Sequence, residues 1–158
     1  MTTLAWRPEF ELRQPRMDRT HVEFVDLLAA TEAAAPGAAT DTALQALLEH
    51  TVAHFEQEER WMGQLGFAPE NCHSMQHQSV LQVLREVARR HALEPDAALV
   101  GHLVAALAEW FPVHATMMDA ALAMTMEERG FDAETGTLRH PLAADAAAIT
   151  GCGGGSCG

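Results

Sequence analysis

The 158-residue chain has no lysine and no tyrosine, and its basic charge rests on ten arginines set against 22 acidic residues. The formal charge of −12 repels polyphosphate backbones and anionic lipid, so nucleic acid and membrane surfaces are poor partners. Cysteine is scarce and odd in number: Cys72, Cys152 and Cys157, the last two in a glycine-rich tail. No disulfide framework is expected from that count. Residues 1–16 lack an apolar run of signal-peptide length and carry Glu9 and Glu11. No stretch reads as the roughly 20 apolar residues that membrane insertion requires. A reducing, cytoplasmic setting is therefore the expectation. Strand signals are missing too, since no alternating Val/Ile/Thr run and no hairpin dipeptide occurs.

What is present is helical periodicity in an alanine-rich chain, together with nine histidines. The histidine excess is a first hint of metal, because neutral imidazole ligates iron, copper and zinc. Met17, His21, Phe24, Val25 and Leu28 recur at three and four, with Asp18 available as a cap. After Pro36-Gly37, a second helix runs from about Thr40 or Asp41 to Gly66, its stripe including Leu44, Leu47, Thr51, His54, Phe55, Glu58, Trp61 and Met62. A third carries His73, His77, Leu81, Leu84 and Val87. A fourth opens at Glu94-Pro95-Asp96, follows a stripe through Leu99, Leu103, Ala106, Leu107, Trp110, His114, Met117 and Met118, and stops at Gly130. The expected fold class is all-α: an up-down-up-down four-helix bundle over residues 17–130, with an N-terminal arm (1–16) anchored by Trp6 and Phe10, and a C-terminal extension (131–158).

Polar groups fall on these apolar stripes. His54 and Glu58 stand four apart, as do His73 and His77, so each pair shares one helix face. His21, His114 and Asp119 join them. Burying one such group without a partner costs about 1–3 kcal/mol, and an ionised carboxylate costs more. Five imidazoles and two carboxylates exceed a tetrahedral zinc site and suit two metals, each carboxylate spanning both. One spacing is awkward, because five residues of regular helix turn Asp119 about 140° away from His114. A distortion between Pro112 and Asp119, of the π type often found at functional sites, is expected.

The segments Met17-Asp18-Arg19-Thr20-His21, His54-Phe55-Glu56-Gln57-Glu58-Glu59, His73-Ser74-Met75-Gln76-His77 and Trp110-Phe111-Pro112-Val113-His114 with Asp119 resemble the hemerythrin family of non-haem di-iron oxygen-binding proteins. The resemblance spans about residues 6–122 and rests on all four segments in this order. It implies two iron ions per chain, bridged by an oxo or hydroxo group. His73, His77 and His114 would hold one, and His21 and His54 the other, with Glu58 and Asp119 bridging and dioxygen as the ligand. Reversible oxygen storage, transport or delivery follows, rather than enzymatic turnover. The alternatives are an oxygen or redox sensor, or a peroxidase or nitric-oxide-handling protein on the same scaffold. Ferritin-like oxygenases and iron-repair relatives use more carboxylates than this chain offers.

The remaining side chains divide between plain and functional roles. Phe55 and Trp110 are candidates to line an oxygen pocket, whereas Trp61 and Met117 read as core. His50, one turn before His54, is either a half-exposed histidine or a hydrogen-bonding or proton-relaying group behind the ligands. His91, His102 and His140 read as surface residues, and Cys72 as a loop or buried thiol. Cys152 and Cys157 admit soft-metal binding, a regulatory disulfide or tethering of a protein partner, against an untethered tail. A monomer or small oligomer is expected.

Overall fold

The computed structural model describes residues 4–151. Among them the chain forms α1 (Pro15–Ala33), α2 (Ala38–Gln64), α3 (Cys72–Leu93) and α4 (Ala97–His114). Helix α4 continues through a π-helical turn (Ala115–Asp119) into α5 (Ala120–Arg129), making one long fourth rod. Neighbouring rods pack α1 on α2, α2 on α3, α3 on α4 and α4 back on α1, so the fold is an all-α four-helix bundle. A 3₁₀ turn (Pro8–Phe10) precedes it, and a small antiparallel pair, β1 (Phe131–Asp132) with β2 (Thr137–Leu138), follows.

Local chemistry sets the helix ends. Pro15 occupies the first turn of α1, where its missing N–H costs nothing. Asp18, expected as the cap, lies inside the helix, and its carboxylate reaches back to accept from Leu12 N–H at 2.8 Å. Gly37, at φ 99°, sets the entry to α2. Asn71 and Ser74 form a reciprocal capping box at the start of α3, an arrangement contributing on the order of 1 kcal/mol. Asp96 accepts from Leu99 N–H at 3.0 Å to start α4, and Gly130 ends α5 in the left-handed region.

The core is split in two. One apolar cluster gathers Phe10, Phe24, Leu28, Leu47, Leu84, Leu107 and Phe111 with their neighbours. The other gathers Met17, Trp61, Met62, Leu65, Leu122, Met126 and Phe131. Each large apolar side chain buried there contributes about 1.5–3 kcal/mol. Along α1, α2 and the fourth rod, the polar residues His21, Glu58 and Asp119 fall between members of the two clusters.

Several expectations change here. The buried side of α4 is Val100, Leu103, Val104, Leu107, Ala108 and Phe111; Ala106 is exposed, while Leu99 and Trp110 are half-buried. Residues 97–113 are apolar almost all round, so periodicity left the facing direction undetermined by about one residue, or about 100°. Met117 is 64% exposed rather than core, because the π turn swings it outward. His91 is buried rather than at the surface: its Nδ1 accepts from Asp96 N–H at 3.0 Å and its Nε2 lies 3.3 Å from Asp41. His102 and His140 are exposed as expected.

Contrary to the reading of the sequence, one helical span, Ala97–Arg129, is long and apolar enough to cross a membrane by length and composition. In this fold its buried face contributes to both core clusters, while Val113, Met117 and Met124 are exposed. Beyond β2 the chain returns to the α2–α3 loop, where Ile149 pairs with Phe67 and Thr150 C=O accepts from Cys72 N–H at 3.1 Å. Cys72, expected as a loop or buried thiol, is buried but disulfide-bonded. Cys152, Cys157 and the rest of the glycine-rich tail lie outside the described residues.

Candidate metal centre

All four rods bring polar side chains to one level of the bundle. His21 comes from α1, His54 and Glu58 from α2, His73 and His77 from α3, and His114 and Asp119 from the fourth rod; all seven are buried. The π turn makes the last pair possible. Ala115–Asp119 widens by one residue per turn, so side chains five apart share a face. It follows Pro112, which has no backbone N–H to donate, as the awkward spacing anticipated.

The two carboxylates are arranged alike. Glu58 turns Oε1 to His54 (2.8 Å) and His21 (3.6 Å), and Oε2 to His77 (3.2 Å) and His73 (3.4 Å). Asp119 turns Oδ2 to His21 (3.2 Å), and Oδ1 to His73 (3.0 Å) and His114 (3.2 Å). Each carboxylate thus gives one oxygen to a two-histidine set, His21 and His54, and the other to a three-histidine set, His73, His77 and His114.

Most of these contacts are short without being aligned. Glu58 Oε2, both Asp119 oxygens, His21 Nε2 and His73 Nε2 make no hydrogen bond within the described residues. Buried polar atoms are normally satisfied, and so many orphans at one level need a further partner. Ligand atoms bound at about 2.1 Å and at right angles stand about 3 Å apart, the spacing these atoms show. The donor set, all imidazole and carboxylate, fits divalent first-row metals. Two subsets have ligand atoms close enough to hold an ion: Glu58, His73, His77, His114 and Asp119; and His21, His54 and Glu58.

The charge balance of the metal-free site follows the same geometry. Burial alone would depress His21, but Asp119 and Glu58 outweigh it and raise its pKa to about 10. His73 rises likewise, against burial, to about 9 through the same two carboxylates. Burial opposes ionisation of Glu58, yet His54, His21 and His73 hold it well below the usual carboxylate range. Asp119 is held low by His114 and His21 against both burial and the charge of Glu58. Burial instead pushes His114 down. Without metal, two imidazolium protons thus compensate two carboxylates.

Aromatic rings wall the site. Phe55 stacks on His77 at 3.9 Å between centroids and also meets His54 at 5.3 Å. Trp110 stacks on His114 at 4.3 Å, beside the three-histidine set. The ring against His21 is Phe111, at 5.3 Å, itself packed by Phe24 and Phe10. Phe111 escaped the sequence reading because Trp110 next to it took the inward position. His50 is half-buried, with its Nε2 3.1 Å from Glu23 and its ring edge-on to His54. Trp61 is core, as expected, with the Arg16 guanidinium above its ring. Two groups that the sequence reading passed over sit behind ligands: Gln76 against His114, and Glu59 against His77. Their only signal was adjacency to His77 and Glu58.

Comparison with known proteins agrees with this geometry. The family model described as "Hemerythrin HHE cation binding domain" matches residues 14–141. A bacteriohemerythrin of Ralstonia nicotianae is 38% identical over 133 residues, covering 84% of this chain and 96% of that protein. No solved structure matches.

Since His21 and His73 carry protons up to about pH 10 and 9, metal loading at pH 8 is expected to release about two protons per chain from them. Apparent metal affinity should rise with pH until those values are passed. A pH indicator in weakly buffered solution measures the release, and uptake without proton release would contradict the charge balance described.

Proposed function

The chain belongs to the hemerythrin HHE cation-binding family, and from that premise we propose that it binds dioxygen reversibly at a centre of two non-haem irons. The observation that carries this reading is the split of each carboxylate between the two histidine sets. A lone metal would need only one set. His73, His77 and His114 would hold one ion, His21 and His54 the other, and Glu58 and Asp119 would serve both. Iron at such a centre supplies reversible electron exchange with dioxygen.

The protein's own part is ligation, exclusion of water and control of protons. The two-histidine set offers one imidazole fewer, so an external ligand has room on that side. Phe111, Phe24 and Phe55 present apolar surface around it and keep bulk water off. A dry pocket slows proton entry and the loss of reduced oxygen species. The reading makes the protein a cytoplasmic oxygen store or carrier.

A second reading has one observation in its favour. Cys72, which directly precedes the ligand His73, is disulfide-bonded. Cytosolic disulfides are mostly transient and redox-responsive. Redox sensing through the C-terminal segment is therefore the alternative, in line with a regulatory role for Cys152 or Cys157.

Metal analysis with an anaerobic-to-aerobic spectral cycle tests the first reading. Two irons per chain and a visible band that appears with oxygen and vanishes on evacuation are expected; one metal, or an irreversible change, would defeat it. Replacing Phe55 or Phe111, the rings against His54 and His21, by a polar residue should hasten autoxidation about tenfold or more, the scale of a kcal/mol-level loss of water exclusion. Unchanged rates in both variants would remove them from the pocket. Free-thiol counts before and after the oxygen cycle separate carriage from sensing: a carrier keeps its count, and a sensor changes it.

A further inference from the structure

The outer nitrogens of the histidines are supported unequally. His114 Nδ1 lies 2.9 Å from Gln76 Oε1, and His77 Nδ1 faces Glu59 Oε1 at 3.4 Å, too poorly aligned for a hydrogen bond. His21 Nδ1 and His54 Nδ1 are buried and make no hydrogen bond within the described residues. The two histidine sets therefore differ behind the rings as well as in number.

A neutral imidazole keeps one proton, and the other nitrogen offers its lone pair. The amide oxygen of Gln76 only accepts, so His114 donates from Nδ1 and leaves the lone pair on Nε2. Nε2 then lies 3.2 Å from His77 Nε2 and 3.2 Å from Asp119 Oδ1, the spacing of ligand atoms that share a cation. Turning the amide end for end would put the proton on Nε2 and block it as a ligand. Gln76 is half-buried on α3 beside His77, so one helical turn supplies both a ligand and the support for a ligand on another rod.

We propose that Gln76 is a positioning residue for the three-histidine set. It holds His114 in the Nδ1–H tautomer and so makes this half of the centre the one that takes up its cation first and loses it last. The His21–His54 half, where neither outer nitrogen makes a hydrogen bond within the described residues, exchanges its cation more readily. This inference rests on the cation-binding reading given above, and goes beyond it in ranking the halves and naming the cause.

The test uses the full-length chain loaded anaerobically with ferrous iron and challenged with a chelator, following iron per chain over time. Wild type should lose one iron at least about tenfold more slowly than the other, in keeping with the tenfold to hundredfold that such supports contribute. Gln76→Leu should speed the slow phase by about tenfold or more, and Gln76→Glu, which keeps an acceptor at the same reach, should restore it to within about threefold. Nitrogen-15 spectra of the metal-free full-length chain give an independent readout. His114 is expected protonated on Nδ1 in wild type and in Gln76→Glu, with that preference lost in Gln76→Leu. A wild-type Nε2–H tautomer, or equal extraction rates in wild type and Gln76→Leu, would overturn the proposal. A wild type that takes up no iron would defeat the oxygen-binding reading, while the tautomer spectra still decide the role of Gln76.

Discussion

Two carboxylates with no access to water dominate this structure. Glu58 and Asp119 are both 0% exposed, and their charges lie where an unpaired anion costs several kcal/mol even after relaxation. Polar partners must therefore reach the same level of the bundle from every side. Five imidazoles do so, drawn from all four rods. The division of the core into two apolar clusters follows, because the polar residues crowd one level and apolar packing fills the space above and below it. Compensation by protons on His21 and His73 is the weaker solution, since it leaves carboxylate oxygens unaligned. Cations satisfy the lone pairs and the charge together.

The same requirement accounts for the irregularity in the fourth rod. A regular helix would turn either His114 or Asp119 out of the bundle, and an outward turn of either would break the compensation. The π turn keeps both inward and moves the surplus outward, which is why Met117 ends in solvent. Local helix geometry is sacrificed where the buried charge demands it, close to Pro112, where one hydrogen bond was already missing.

The fold and the gathering of the seven polar residues were legible in the sequence for one reason. Polar residues on otherwise apolar stripes are costly, so their positions carry information about a common partner, and a four-residue spacing names the shared face. The five-residue gap before Asp119 was legible as a distortion on the same grounds. What escaped notice lacks such contrast. Phe111 and Trp110 are both large, apolar and adjacent, and nothing in their chemistry says which turns inward. His91 continues the α3 stripe four residues after Val87, but it stands in the last turn, where burial depends on the α3–α4 turn folding over it, a tertiary contact. Gln76 is an ordinary helix residue until His114 arrives from another rod.

Both chain extensions bear on the site rather than merely adjoining it. The arm places Phe10 edge-on against Phe111, whose ring in turn abuts His21. The returning C-terminal segment pairs with the α2–α3 loop, and Thr150 C=O accepts from Cys72 N–H in the first turn of the helix that carries His73 and His77. That N–H is one of the donors a helix start leaves unsatisfied, and Asn71 with Ser74 supplies others nearby. The first turn of α3 is thus held by its own capping box, by a distant strand-like segment and by the Cys72 disulfide. His73 lies in that turn, where a shift of a few tenths of an ångström would alter its approach to both carboxylates. So much support at one turn is understandable if the bundle must present ligands at fixed separations rather than merely bury apolar surface, for which looser packing would suffice.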